Sequence, residues 1–187
     1  MTASDWKRRF DEWQVSKEFL QILPEVAVLE GVLQAAEYHA EGDALAHTLL
    51  AIDAVNAGAD ERVFWAVLLH DIGKAETTEF IDGRWRSHGH ANRGALLVPP
   101  ILERLNLSRI AADVAWLVKH HHFVFFWGDS VTDGLTPKQV KFCCHPLFPL
   151  LVEVCHADAA ASLGKSRKRN LLDSVLLQLK TISKDKL

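Results

Sequence analysis

Apolar residues along this chain recur at intervals of three and four, the spacing of helices with one buried face. The pattern predicts helices over residues 4–20, 24–36, 43–57, 60–71, 89–105, 107–124, 136–143, 147–163 and 167–182. Alternation of period two is confined to residues 80–85, where Asp82-Gly83 has the composition of a two-residue hairpin turn. Asp43 and Asp60 are expected N-caps, and Gly73 is expected to stop the helix that carries His70. Residues 129–134 and 164–166 read as loops. The expected fold class is all-α, a compact helical bundle with at most one short hairpin near 80–86.

Length and composition refine this picture. A chain of 187 residues, 49% of them apolar, is sufficient for one sizeable core. Residues 1–40 are more amphipathic than the centre, so a single domain is expected in which 1–40 form a helical arm packed on a core at 41–165, followed by a C-terminal helix over 166–187. A net charge of −3 gives no global field for nucleic acid, and DNA is not an expected partner. No apolar run approaches the roughly 18 residues that span a bilayer, so no membrane partner is expected. Residues 1–9 are polar and mixed in charge, unlike a signal peptide. Three cysteines, Cys143, Cys144 and Cys155, have no framework spacing and read as reduced. A cytoplasmic location is expected.

Some polar residues interrupt apolar faces where a polar group has no evident reason to be. His70-Asp71 closes the apolar stretch before Gly73. His47 shares a helical face with Leu50, Ala51 and Ala54, and Asp158 shares one with Leu150, Leu151, Val154 and Cys155. A carboxylate on such a face loses its hydration and needs a cation or several donors. A divalent ion held by His47, His70, Asp71 and Asp158 meets that need for all of them. The donor set is imidazole and carboxylate without thiolate, which disfavours a closed structural zinc site and suits Mn, Fe, Co, Ni or Zn. Each residue taken singly reads more plainly as a hydrogen-bonded core group; the reading rests on their occurring together.

That order, with the residues around it, resembles the HD superfamily of metal-dependent phosphohydrolases. Within it the chain is similar to the HD region that follows the nucleotidyltransferase half in bacterial CCA-adding enzymes (tRNA nucleotidyltransferases). The stretches that carry the resemblance are residues 37–43, His47-Thr48-Leu49-Leu50, Leu69-His70-Asp71-Ile72-Gly73-Lys74, Thr77-Thr78, residues 82–87, Gly89-His90 with Gly94-Ala95, and Ala157-Asp158. They span roughly residues 15–165. The sequence has no Gly-Ser loop followed by a paired Asp-x-Asp, so nucleotidyl transfer is not carried over. The resemblance implies an all-α HD bundle and a divalent metal, Mg included, on His47, His70, Asp71 and Asp158. It also implies hydrolysis of a phosphomonoester or cyclic phosphodiester, commonly of a nucleotide or RNA end.

Further candidates surround that set. Lys74, three residues beyond Asp71, either binds the substrate phosphate, pairs with Asp71, or is solvated. His90 stands at an expected helix start, where free N–H groups attract anions; it is a candidate phosphate contact, general acid or ligand of a second ion. Arg93 is a weaker phosphate candidate. In the triplet 120–122, His121 continues the face Ile110, Val114, Leu117 and is expected to face the site, with His122 second and His120 pointing away. Lys165, Arg167, Lys168 and Arg169 read as a solvated helix start, with an RNA contact as the alternative. The catalytic candidates are therefore Asp71, Lys74, His90 and His121, acting on a phosphorylated small molecule, nucleotide or RNA end. A 5′-nucleotidase on free (deoxy)nucleoside monophosphates and a non-catalytic RNA- or protein-binding module are the alternative functions. The sequence leaves the oligomeric state open.

Overall fold

Seven consecutive apolar residues, Val63 to Leu69, make sense in a helix only if neighbours cover it on every side. In the computed structural model all seven are buried. They form most of helix α5, Glu61–Leu69, with Asp60 as its N-cap. The model describes residues 1–128 and 134–184, and among these the architecture is all-α with one two-stranded hairpin. The loop expected over 129–134 lies, but for Gly134, outside the described residues.

Around α5 pack α1 (Ala3–Ser16), α4 (Ala44–Asp53), α8 (Ser108–His120) and α11 (Phe148–Ala161). Helix α1 seats Trp6 and Phe10 on α5, with the Trp6 ring edge-on to Trp65 at 5.0 Å. Between α1 and α4 run the short helices α2 (Phe19–Ile22) and α3 (Pro24–Ala27). The helix expected over 24–36 is thus only a fragment. Gly31 takes a left-handed φ of +76°, and its N–H donates to the Asp43 carboxylate at 2.7 Å, which pins residues 31–43 as a loop.

After α5 come a four-residue turn at 70–73, the short helix α6 (Lys74–Thr77), and the hairpin of β1 (Thr78–Ile81) with β2 (Arg84–Ser87). Asp82 and Gly83 both have positive φ, at 50° and 77°, as a primed hairpin turn requires. Helix α7 (His90–Arg104) then packs along α8. The short helices α9 (Phe123–Trp127) and α10 (Pro137–Cys143) precede α11, and α12 (Lys168–Lys184) closes against α11 and α9. No single helix among the described residues is long and apolar enough to cross a membrane.

Gly73 does not act as a left-handed helix stop. Its backbone is right-handed, at φ −67°, and α5 has already ended at Leu69. Glycine is needed for a different reason: a Cβ here would lie 2.1 Å from the His90 carbonyl oxygen and 2.7 Å from the Gly94 nitrogen. The close approach seats the start of α7 on the turn that follows α5. Gly73→Ala is expected to cost about 1–3 kcal/mol by forcing these backbones apart. At this chain length that lowers the thermal midpoint by roughly 2–4 °C per kcal/mol, readable by calorimetry.

Candidate metal centre

Helix α5 delivers His70 and Asp71 just past its C-terminal end, where the helix dipole is negative and favours a cation. Helix α4 contributes His47. The buried face of α4 is Ala44, His47, Thr48, Ala51 and Ile52, while Leu50 and Ala54, expected on that face, turn outward. Helix α11 contributes Asp158, buried with Leu151, Val154 and Cys155. The four residues meet at one place. The His47 Nε2 lies 3.0 Å from Asp158 Oδ1 and 4.0 Å from Asp71 Oδ2; the His70 Nε2 lies 3.2 Å from Asp71 Oδ2 and 3.9 Å from Asp158 Oδ1. An octahedral ion with ligands at about 2.1 Å spaces its neighbours at about 3.0 Å and opposed ligands at about 4.2 Å, so the spread of distances suits a single ion.

The histidine rings share one orientation. Nδ1–H of His70, His90 and His121 donates to the carbonyl oxygens of Val67, Ser87 and Val118 at 2.7, 2.8 and 2.7 Å. Nδ1–H of His47 donates to Glu41 at 2.7 Å. These acceptors cannot donate, so each Nδ1 holds its proton and each Nε2 turns toward the carboxylates. The His90 and His121 Nε2 atoms stand 3.3 Å apart, and lie 3.4 and 4.0 Å from Asp71 Oδ1. Among the described residues, His70 Nε2 and both Asp71 oxygens are fully shielded and lack a hydrogen-bond partner. Lys74 Nζ comes within 2.7 Å of Asp71 Oδ2 as an ion pair, but its hydrogen bond goes to Gln34. Each such orphan costs about 1–3 kcal/mol unless something satisfies it. A divalent cation does so, and the imidazole and carboxylate donors fit one. Cys155 is no rival ligand: burial pushes its thiol pKa up, and the S–H donates to the His121 carbonyl.

Charge explains how this cluster survives burial. Burial opposes the Asp71 carboxylate, but His70, Lys74 and His90 outweigh it and hold its pKa well below the usual range. Burial likewise opposes Asp158, and Lys168 and His47 outweigh it. For His47 burial disfavours the cation, yet Asp158 and Glu41 raise its pKa. For His121 burial, with His70 and His90 beside it, pushes the pKa well down. His90 is lowered chiefly by burial, so both rings are neutral and offer lone pairs.

Several residues of this site escaped the sequence reading. Lys168, expected in a solvated run, is buried with Nζ 2.5 Å from Asp158 Oδ1, after a loop whose Leu163 and Lys165 N–H groups are held by Glu41 and the Glu37 carbonyl. Glu41, its side chain shielded, accepts from His39, His47 and the Leu163 N–H. It lies within a stretch that carried the family resemblance, and that was its only signal. His122 was ranked behind His121, yet its ring sits 4.3 Å from His121 and 4.8 Å from His90. His121 keeps helical backbone angles but His122 leaves them, at φ −97° and ψ 13°, so the 100° rotation per residue that leads to His121 does not extend to it. The His120 ring lies tilted against Trp116 at 4.6 Å, away from the cluster. Arg93 is committed elsewhere, in a two-pronged pair with Glu76.

Known proteins share this arrangement of sequence. The family model described as HD domain matches residues 29–163. The Multifunctional CCA protein of Paraburkholderia phytofirmans is 34% identical over 166 residues, which is 86% of this chain and 40% of that protein. Its namesake in Alkalilimnicola ehrlichii is 43% identical over 104 residues, 54% of this chain and 24% of the relative. That of Burkholderia vietnamiensis is 32% identical over 162 residues, 84% and 39%. The chain spans well under half the length of these curated relatives.

Because Glu41 fixes the His47 ring from behind, Glu41→Gln is expected to weaken Mn²⁺ binding by about 10–100-fold. Competition against a fluorescent chelator reads this directly, and an unchanged affinity would show that His47 is not a ligand.

Proposed function

The chain belongs to the HD domain family, and from that premise we propose that it is a metal-dependent phosphohydrolase. It cleaves a phosphomonoester or a cyclic phosphodiester of a nucleotide or an RNA end. The observation that carries this reading is the convergence of four Nε2 atoms on two buried carboxylates, with His70 Nε2 and Asp71 Oδ1 without a hydrogen-bond partner and Asp71 Oδ2 held only by the Lys74 ion pair. The kinship with the CCA proteins supports a nucleotide or RNA end as substrate.

In the proposed assignment His47, His70, Asp71 and Asp158 hold the ion. When bound, the ion lowers the pKa of a coordinated water and polarises a phosphoryl oxygen. Asp71 Oδ1, the oxygen that Lys74 does not neutralise, orients the attacking water and accepts its proton. The water oxygen bonds to phosphorus, the bond from phosphorus to the nucleoside oxygen breaks, and the leaving oxygen takes up the proton that Asp71 accepted, directly or through solvent. Lys74 and Lys168, both buried beside the carboxylates, balance charge on the phosphate. His90 and His121 are poor general acids, since each N–H is tied to a backbone carbonyl. Their facing lone pairs, with Asp71 Oδ1 and the nearby His122, suit a second ion instead.

The charges agree with a dianionic substrate. Asp71, Asp158 and Glu41 bring three negative charges and Lys74 and Lys168 two positive ones, so a divalent ion on His47, His70, Asp71 and Asp158 would leave the site with a net positive charge.

Phosphate release from nucleoside 2′-, 3′- and 5′-monophosphates and 2′,3′-cyclic phosphates is expected only with added Mn²⁺, Co²⁺, Ni²⁺ or Mg²⁺, and not in Asp71→Asn. Full turnover after exhaustive chelation, or in that variant, would sink the mechanism. Absence of turnover with every metal would favour a binding module. Within the triplet, His121→Ala is expected to cut turnover by about 10²-fold or more, as loss of a positioned group does. His120→Ala is expected to stay near wild type. The reverse ranking would remove His121 from the site.

A further inference from the structure

Beside the His/Asp cluster lies a cavity of about 530 Å³, within the roughly 300–1,000 Å³ typical of small-molecule sites. Its inner wall is His39, His122 and Lys168, which touch His47, His121 and Asp158 in turn. Its outer wall includes Arg84 and Arg86 of β2, and Lys165 from the loop before α12. No Asp or Glu is among the described lining residues.

Arg84 and Arg86, which line the cavity, differ from the arginines held in close ion pairs. Arg62, Arg93, Arg104 and Arg109 each hold a carboxylate at 2.6–2.8 Å. Arg86 reaches Asp82 only at 3.7 Å, and its shielded Nε has no hydrogen-bond partner. Arg84 has no ion-pair partner among the described residues. Residues 84 and 86 of a strand share a face, so the two guanidiniums serve one seat. Tyr38 and Phe125 turn partly exposed rings to the same cavity, as surfaces on which a base can stack. Lys74 and Lys168 at the cluster already pair with Asp71 and Asp158, whereas the Arg84 and Arg86 guanidiniums on the cavity wall hold no carboxylate at hydrogen-bond distance among the described residues and are open to an anionic group of the ligand.

We propose that Arg84 and Arg86 bind a second phosphate, so that the substrate is a nucleotide with a phosphate on either side of its ribose, the chemistry of an RNA 3′ end. This rests on the phosphohydrolase reading above. Water adds to the terminal 3′-phosphorus, the bond to the ribose O3′ breaks, and O3′ leaves as a hydroxyl beside inorganic phosphate. The second phosphate stays intact on Arg84 and Arg86.

The test compares adenosine 3′,5′-bisphosphate with adenosine 3′-monophosphate at saturating Mn²⁺. Wild-type kcat/KM is expected to favour the bisphosphate by about tenfold or more, the gain of one charge-assisted contact. In Arg84→Ala/Arg86→Ala that ratio falls toward one, while Arg84→Lys/Arg86→Lys, which keeps the charge, retains most of it. A wild-type ratio near one, or a ratio that survives the double alanine change, overturns the proposal. Turnover of neither nucleotide removes the hydrolase reading, and calorimetric binding of the same two nucleotides then decides. Tighter binding of the bisphosphate that is lost in the double alanine variant keeps the second seat; equal binding of both refutes it.

Discussion

Two carboxylates, Asp71 and Asp158, lie within a helical core with almost no access to water, and the rest of the molecule is arranged around that constraint. An isolated buried carboxylate neutralises itself by taking a proton. Here the opposite happens, because each carboxylate faces a lysine and at least one imidazole. The groups that make this possible come from α4, the turn after α5, the start of α6, α7, α8, α11 and the start of α12. Charge compensation thus gives these elements a common meeting point, in addition to the apolar packing of α5.

The apolar pattern made the helices of the core legible. Residues 63–69 are buried all round, and the face Ile110, Val114, Leu117 leads to His121 as helical geometry requires. The pattern misled where a turn replaced a helix. Residues 28–36 are expected to continue the helix from 24, but the Gly31 N–H bonds to Asp43 and the segment runs as a loop. It also misled in α4, where Leu50 competes with Thr48 for burial and loses.

Of the site, residues on apolar faces stood out because a polar group there is anomalous. Lys168 and Glu41 did not, since a lysine in a basic run and a glutamate beside glycine are ordinary at a surface. Their roles arise from tertiary contact: Lys165 N–H donates to the Glu37 carbonyl, and Leu163 N–H to Glu41. Two loops more than a hundred residues apart are joined in this way, and no local periodicity reports such a join.

Gly73 carries a mechanical consequence. Its contact with His90 and Gly94 leaves no gap between the His70-Asp71 turn and the first turn of α7. His90 is therefore held at a fixed offset from Asp71. A side chain larger than hydrogen at position 73 reaches the site by moving His90 away from Asp71, while His47 and Asp158 keep their places on α4 and α11, which pack on α5.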